Sequence, residues 1–264
     1  MNPLAENLKK LEDAIAAACR RAGRDRKEVE LMAVSKTYPA STIVEAAALG
    51  LTLFGENRVQ EFASKADELN SLLSSGSNPG RPILLDQSGE SVGGDHPISI
   101  QVHLIGHLQS NKAARAAELF DAVDSVDSFR LAERLNDAAG KLGKCLPILL
   151  EVKLSSEETK AGLDVNSVET AQLLECLPDL VHLETRGLMT IAPWGVAENV
   201  TRACFRSLRD WRDKWTAAHP RLNLSVLSVG MSSDFPLAIE EGATRIRIGT
   251  ALFGKRSPYT GPPE

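Results

Sequence analysis

The sequence predicts a single (β/α)8 barrel preceded by an N-terminal helix. Eight short apolar, strand-like runs alternate with helical patterns over about 230 residues, which is typical of parallel sheets and of closed barrels in particular. No GxGxxG motif follows the first strand, so the usual reason to prefer an open dinucleotide-binding sheet is missing. An open doubly wound sheet remains the alternative.

The first element is an amphipathic helix. Apolar side chains recur at helical spacing near the N-terminus, at Leu4, Leu8, Leu11 and Ile15. This spacing predicts a helix over residues 3–22 that ends at the glycine which follows. A helix that lies on a membrane surface is the alternative interpretation of the same pattern.

The remaining elements follow in regular alternation. Strands are expected at residues 30–35, 51–54, 100–105, 121–125, 146–152, 181–188, 224–228 and 244–248. Helices are expected at residues 40–49, 58–73, 108–118, 128–140, 166–176, 196–218 and 234–241. Two segments break this alternation. Residues 74–97 are rich in Ser, Gly, Asp and Pro and predict a long mobile loop, and residues 255–264 form a Pro/Gly-rich tail.

Composition and charge exclude several classes of protein. Lysine and arginine number 30 against 35 acidic residues, with no block of like charges, so the electrostatic signature of a nucleic-acid-binding protein is missing. The four cysteines lie far apart and no histidine cluster accompanies them, which argues against a zinc site or a disulfide framework. No apolar run approaches the roughly 20 residues that span a membrane, and the N-terminus lacks a signal-type stretch. We therefore expect a soluble, cytoplasmic protein with reduced thiols.

Polar residues gather at the predicted strand ends. In a parallel barrel, the loops that leave the C-terminal ends of the strands form the functional face. Those positions carry Ser35, Lys36, Glu56, Asn57, His103, Asp127, Lys153, Thr190, Ser228 and Thr250. Polar residues are common where strands end, but lysine, asparagine and histidine on one rim exceed what turns require. The sequence therefore predicts a functional site at this face.

The ends of the last two strands predict a phosphate-binding site. The segment "SVGMSSD" supplies a glycine that permits close backbone approach, followed by hydroxyl side chains, and "RIGTALFG" supplies a second glycine and hydroxyl. Backbone N–H groups and small hydroxyls bind phosphate, and barrels often bind it between these two strands. Ordinary helix capping would explain either segment alone. Asp234 would repel a phosphate and is assigned to capping.

Lys36 ends the first strand and points toward this predicted phosphate site. A lysine whose pKa is lowered by desolvation or by nearby cations can form a Schiff base with a carbonyl group. A ligand with both a carbonyl and a phosphate would be held at both ends. Pyridoxal phosphate (PLP) and phosphorylated sugar carbonyls fit equally well, and a rim lysine that only attracts anions is the third interpretation.

Eight segments, in order, carry a resemblance to a known family. They are "AVSKTYP", "FGENRVQE", "HLIGHLQSNK", "SVDS", "EVKLSSEETKAGLD", "RGLMTIAP", "SVGMSSD" and "RIRIGTALFG". Each is weak alone, but the ordered set spans residues 33–254 and resembles the pyridoxal phosphate homeostasis proteins, which are similar to the barrel domain of alanine racemase. The resemblance implies a fold-type III PLP-binding barrel.

The resemblance also implies roles for individual residues. Lys36 would carry PLP covalently as a Schiff base, Asn57 would lie near its ring, and Met189 would line the pocket. The phosphate cup would consist of Ser228, Gly230, Ser232, Gly249 and Thr250. Arg247 would lie beside the cofactor, at either the pyridine nitrogen or the phosphate. Lys160 resembles a second rim lysine involved in cofactor exchange, whereas Asn111 and Lys112 match a family motif but could equally be surface residues.

Several positions depart from the family pattern. Val102 stands where an aromatic residue is common, Arg58 replaces a common tyrosine, and Lys153 replaces a common asparagine. The 74–97 loop is also longer than usual. These differences concern the pocket rim and the choice of partner, and they leave the lysine and the phosphate cup intact.

The sequence favours a carrier over an enzyme. Strand alternation places Arg245 and Arg247 on one face, and an arginine at the pyridine nitrogen would leave PLP a weak electron sink. Racemases of this fold add a second domain and a tyrosine base, whereas only the tail "KRSPYTGPPE" follows the last segment here. The remaining candidate bases are weak: Tyr38, Tyr259, His103 and His107.

We therefore expect a monomer that holds PLP and passes it to PLP-dependent apoenzymes without robust turnover. An amino-acid racemase or decarboxylase with weak activity is the first alternative. A lysine aldolase that acts on a phosphorylated carbonyl without any cofactor is the second.

Overall fold

The computed structural model describes residues 2–75, 100–154 and 161–254. The predicted loop over 74–97 is shortened at its start, because residues 74 and 75 still belong to a helix. The rest of that segment, the 255–264 tail and Lys160 lie outside the described residues.

Eight parallel strands form a closed barrel. They are β1 (Glu30–Val34), β2 (Leu53–Glu56), β3 (Gln101–Leu104), β4 (Ala122–Val126), β5 (Leu146–Lys153), β7 (Leu183–Met189), β8 (Val226–Ser228) and β9 (Arg245–Ile248). Their order is β4-β3-β2-β1-β9-β8-β7-β5, and pairing between β4 and β5 closes the ring. The predicted barrel is confirmed, and the open doubly wound sheet is excluded.

Helices surround the barrel between the strands. They are α1 (Pro3–Arg21), α2 (Ala40–Ala48), α3 (Val59–Ser75), α4 (Ala113–Leu119), α5 (Phe129–Lys141), α6 (Val168–Cys176), α7 (Glu198–Ala218), α8 (Phe235–Glu240) and α9 (Thr250–Phe253). The predicted helix at 108–118 begins later than expected, because a 3-10 turn over Ser110–Lys112 precedes α4. A two-residue strand, β6 (Leu163–Asp164), was not predicted and pairs with the end of β5.

Helix α1 packs on the barrel. The Asn2 side chain accepts a hydrogen bond from the Leu4 N–H at 2.9 Å and caps its N-terminus. Leu4, Leu11 and Ile15 are buried in the protein core. Asn7 donates to the Leu252 carbonyl at 3.0 Å, which ties the helix to α9. The apolar stripe of α1 is thus used within the molecule, which contradicts the membrane-surface alternative.

The two faces of each strand pack differently. Ile246 and Ile248 of β9 belong to the large apolar core between barrel and helices. Arg245 and Arg247 alternate with them and point into the barrel, where both are buried. The predicted alternation of the last strand is therefore confirmed, and it places two guanidinium groups inside the ring. Within the part of the chain that the structure describes, no helix is long and apolar enough to cross a membrane.

Candidate functional site

A large cavity opens at the C-terminal ends of the strands. Its volume is about 550 Å³, which is within the range of small-molecule sites. Six of the predicted site residues line it: Lys36, Asn57, Ser232, Arg247, Gly249 and Thr250. These residues come from four different strand ends, so the closed barrel brings together positions that are far apart in the sequence.

The backbone on both sides of Lys36 is fixed by neighbouring buried groups. Ser35 donates its N–H to the Gly55 carbonyl at 3.0 Å and its hydroxyl to the Glu56 carboxylate at 2.6 Å. Thr37 adopts a left-handed conformation with φ of 68°, which a β-branched residue rarely occupies. Its N–H donates to a carboxylate oxygen of Glu61 at 2.5 Å. Lys36 is thus presented from a turn that is held by carboxylates.

A buried ion cluster lies behind this turn. The Lys65 ammonium forms salt bridges with Glu56 at 2.8 Å and with Glu61 at 3.4 Å. It also donates to the carbonyl of Ser35 at 3.2 Å and to that of Tyr38 at 3.0 Å. Burial raises the pKa of Glu56, while Lys65 and the Ser35 hydroxyl lower it. The cluster therefore binds backbone groups before and after Lys36.

Asn57 depends on a glycine in the neighbouring strand end. A Cβ atom at Gly106 would overlap the carbonyl oxygen of Asn57, so only glycine permits the two turns to lie this close. Both residues line the cavity, and they also line a smaller adjoining cavity with Arg58 and Lys112. Arg58, which replaces a common tyrosine, and Lys112, which could have been a surface residue, therefore lie next to the main site.

The turns after β8 and β9 form the wall that was predicted to bind phosphate. Ser232 and Thr250 place hydroxyl groups on the cavity, and the Ser232 hydroxyl accepts the Ala251 N–H at 3.2 Å, which links the two turns. Gly230 has φ of 94°, and a Cβ there would lie 2.6 Å from the Ala238 Cβ. Asp234 accepts the Met231 N–H at 2.6 Å. It therefore closes the turn. The predicted capping role of Asp234 is wrong, because its side chain makes no capping hydrogen bond to α8.

Arg247 forms part of the cavity floor. It donates to the Thr190 carbonyl at 2.8 Å and to the Ser228 hydroxyl at 2.9 Å. Burial lowers the pKa of this guanidinium, while the carboxylates of Asp124, Glu151 and Asp234 oppose the change. Ser228 is completely buried, and its hydroxyl accepts the hydrogen bond from Arg247. Met189 is also completely buried. Neither these two residues nor Gly230 lines the cavity.

Glu151 is a cavity residue that was not identified from the sequence. It is only 8% exposed, and one of its carboxylate oxygens has no hydrogen-bond partner. Its pKa is raised to about 7, chiefly by burial and also by the Asp127 carboxylate, while Arg247 and His107 oppose the change. Strand alternation could have found it, because Glu151 and Lys153 share one face of β5 and both line the cavity.

The two histidines of the third strand end differ in environment. His103 is buried and its Nδ1 lies 3.0 Å from Asp124, whose other oxygen accepts Arg245 at 3.1 Å. His107 lines the cavity, and its Nδ1 lies 3.0 Å from Asp127. His103 is therefore part of a buried structural network, and His107 alone faces the site.

The other candidates that the structure describes lie away from the cavity. Tyr38 donates to the Gly254 carbonyl at 2.9 Å and stacks on Phe253, which agrees with packing at the rim. Val102 is buried in β3, and Asn111 is exposed on the 3-10 turn before α4. Lys160 and Tyr259 lie outside the described residues. Among residues 2–75, 100–154 and 161–254, no group of His, Cys, Asp and Glu could hold a metal ion.

Comparison with known proteins identifies the family. The family model described as alanine racemase, N-terminal domain, matches residues 7–257. The pyridoxal phosphate homeostasis protein of Escherichia coli K12 is 37% identical over 257 residues, which cover 97% of this chain and 98% of that protein. The protein of the same name from Aquifex aeolicus is 36% identical and covers 95% of this chain and 97% of that protein.

Solved structures agree with this result. PipY of Synechococcus elongatus PCC7942, solved with PLP bound, has a TM-score of 0.75 and 41% sequence identity, and the match covers 95% of this chain and all of that one. Alanine racemase of Clostridium difficile 630 has a TM-score of 0.66 but only 17% identity, so it supports the fold alone. The match covers 98% of this chain and 58% of the racemase. The chain therefore belongs to the alanine racemase N-terminal domain family and, within it, to the pyridoxal phosphate homeostasis proteins.

Proposed function

We propose that this protein binds pyridoxal 5'-phosphate in the barrel cavity through a Schiff base on Lys36 and holds it for transfer. The observation that carries the proposal is the position of Lys36, on the same cavity as the Ser232 and Thr250 hydroxyls of the linked β8 and β9 turns. An aldehyde held by an amine and a phosphate held by hydroxyls and backbone N–H groups match the two ends of PLP. The PLP-bound structure of PipY supports the same ligand.

The other predicted site residues also have roles in this proposal. Ser232, Gly249 and Thr250 would bind the phosphate, and Asn57 would lie beside the ring. Arg247 would face the ring from the floor, since its hydrogen bonds to Thr190 and Ser228 hold it below the cavity. Ser228 and Met189 would act indirectly as buried supports, and Gly230 through the shape of its turn. When bound, PLP supplies an aldehyde that reacts reversibly with primary amines.

Two features of the cavity support a carrier. Among the described residues, the histidine on the cavity is His107, and Asp127 lies within hydrogen-bond distance of it. A guanidinium at the pyridine nitrogen donates and does not give up its proton, so it would leave that nitrogen neutral. These features favour retention of the cofactor over turnover of an amino acid.

One observation favours the alternative of a weak racemase or decarboxylase. The pKa of Glu151 is about 7, which suits a proton acceptor near neutral pH. Solvent deuterium exchange at the α-carbon of a panel of amino acids separates the two functions. Exchange no faster than with free PLP supports the carrier, and exchange many times faster supports the enzyme.

Borohydride reduction tests the proposal directly. The purified protein is incubated with PLP, reduced and digested, and the modified peptide is identified by mass spectrometry. We expect visible absorbance before reduction and a pyridoxyl group on Lys36 afterwards. Lys36→Ala should lose both signals, whereas Lys153→Ala is the matched control from the same cavity and should keep the modified Lys36. A covalent chromophore on another residue of Lys36→Ala contradicts the assignment, and no chromophore in the parent protein favours a cofactor-free aldolase.

We further propose that the protein acts in the cytoplasm as a monomer and hands PLP to PLP-dependent apoenzymes. The four cysteines are all free thiols, which supports a reducing compartment. When the PLP-loaded protein is mixed with an excess of a PLP-dependent apoenzyme, the activity of that enzyme should be restored. Light scattering during gel filtration should give the mass of one chain.

A further inference from the structure

One buried carboxylate in the cavity has an oxygen atom without a hydrogen-bond partner. Glu151 is 8% exposed, and its Oε2 atom accepts no hydrogen bond. Buried polar groups are nearly always hydrogen-bonded, because an unpaired one has lost water without replacement. A carboxylate in this situation on a cavity wall indicates that a ligand supplies the missing donor.

Among the described residues, the two cations that lower the pKa of Glu151 have other hydrogen-bond partners. Arg247 donates to Thr190 and Ser228, and the His107 ring pairs with Asp127. The Asp127 carboxylate adds negative charge near Glu151 and raises its pKa. The cavity wall at Glu151 is therefore anionic when the group is ionised.

Glu151 also lies on the side of the barrel away from Lys36. Strand β5 is four strands from β1 in either direction around the closed ring. A cofactor attached to Lys36, with its phosphate at the β8 and β9 turns, would occupy the half of the cavity opposite β5. The β5 side would then remain for a second small molecule.

The chemistry of the β5 side indicates the kind of molecule. Trp194 lines the same cavity and is 86% exposed, and Ile191 beside it is 40% exposed. An aromatic face and a carboxylate together bind ammonium groups, through cation–π attraction and a charge-assisted hydrogen bond. Exposed apolar surface next to them suits a short hydrocarbon body.

We infer that Glu151 and Trp194 form a subsite for a small primary amine, bound noncovalently by its ammonium group beside the cofactor. This inference rests on the proposed function, because PLP on Lys36 fills the rest of the cavity. The subsite gives the loaded protein a means to distinguish amines from neutral molecules of the same shape.

Calorimetric titration of the loaded and reduced protein tests this inference. Borohydride reduction blocks Lys36, so that binding is measured without further reaction at the cofactor. We expect n-butylamine to bind saturably, and n-butanol, which has the same length and no charge, to bind at least roughly tenfold more weakly. Glu151→Gln should weaken amine binding by roughly ten- to a hundredfold. Glu68→Gln, an exposed control outside the cavity, should leave it unchanged.

The dependence on pH provides a second readout. Amine binding should tighten between pH 6 and pH 8, because Glu151 ionises in this range and the amine stays cationic. The charged groups that act on Glu151 are Asp127 after β4, His107 after β3 and Arg247 from β9. Lys36 after β1 and Lys153 from β5 line the same cavity. His107 acts on the charge of Glu151, so His107→Gln is included and should keep the pH dependence, which Glu151→Gln should lose.

The outcomes separate the inference from the proposed function. If reduction modifies Lys36 but amine and alcohol bind equally, or Glu151→Gln binds the amine like the parent, only the amine subsite is wrong. If reduction does not modify Lys36, the proposed function fails and the inference falls with it.

Discussion

The left-handed conformation of Thr37 is the clearest strain next to Lys36. A left-handed residue other than glycine costs about 1–2 kcal/mol, and the buried Thr37 hydroxyl has no hydrogen-bond partner. The hydrogen bond from its N–H to Glu61, whose carboxylate forms a salt bridge with Lys65, compensates for this strain. Glu61 therefore acts as a positioning residue for Lys36.

A double-mutant cycle tests this role of Glu61. Glu61→Ala should weaken PLP attachment to Lys36 about tenfold, since the turn can then leave the left-handed conformation. In a Thr37→Gly background the same change should cost about twofold or less, because glycine adopts this conformation without help. Visible absorbance during PLP titration measures both. Glu61→Gln, which keeps the acceptor, should behave like the parent, and equal losses in the two backgrounds would contradict the role.

Glu151 makes the stability of the unloaded protein depend on pH. Its pKa in the folded protein is raised to about 7 from an ordinary value of 4.5, so the folded state holds this proton more tightly than the unfolded state does. The resulting stabilisation is complete below the ordinary value and is lost as pH rises through 7, by at most about 3 kcal/mol. Relative to Glu151→Gln, the parent should therefore lose unfolding free energy between pH 5 and pH 8.5. Urea denaturation at both values measures this, and a constant difference would show that the carboxyl is not buried as described.

At the scale of the elements, the sequence predicted most of the barrel because its pattern is local. Strand-like runs separated by helical patterns identify parallel strands, and all eight barrel strands occur where they were expected within a few residues. The exceptions depend on tertiary contacts. Strand β2 lies about two residues later than predicted, at Leu53–Glu56, where it pairs with β1 and β3, and β6 exists only by pairing with β5.

Part of the candidate site could also be predicted from the sequence. Strand ends placed Lys36, Asn57 and Thr250 on one rim, because parallel strands in a barrel all end on one face. Glu151 was missed because it lies within β5 and not at the strand end, although strand alternation places it on the same face as Lys153. The hydrogen bond of Ser228 to Arg247 could not be predicted either, since it joins two strands through side-chain conformation.

Gly230 shows how an element boundary controls the site. Gly230→Ala adds both a left-handed alanine and a contact of 2.6 Å with Ala238, so it should lower the unfolding free energy by about 2–4 kcal/mol and weaken PLP retention. Gly23→Ala is the matched control: its φ is 66° and a Cβ there meets nothing within 4 Å. It should cost only about 1 kcal/mol and leave retention unchanged. Urea denaturation and absorbance measure the two effects, and equal costs would exclude the steric part.

At the scale of the whole molecule, the closed barrel encloses a layer of charge. Asp124 of β4 pairs with His103 of β3 and with Arg245 of β9, which in turn reaches Glu30 of β1 at 2.6 Å. These contacts cross the ring between strands that are not all neighbours. Burial acts to raise the pKa of Asp124, but His103, Arg245 and Arg247 outweigh it, and the net pKa is lowered. The layer thus depends on a carboxylate that stays ionised inside the barrel.

Loss of that carboxylate should destabilise the molecule as a whole. Asp124→Asn leaves Arg245 and Arg247 without their central counter-charge, and removal of one partner of a buried ion pair costs about 3–5 kcal/mol. Asp137→Asn, on the exposed face of α5, is the control and should change stability by less than about 0.5 kcal/mol. Because the folded pKa of Asp124 is lowered, its contribution is present above the ordinary pKa and is lost as pH falls below it. The loss of unfolding free energy in Asp124→Asn, measured by urea denaturation, should therefore be largest near neutral pH and smaller under acid conditions. A loss that is independent of pH would mean that the shape of the side chain at this position, and not its charge, stabilises the barrel interior.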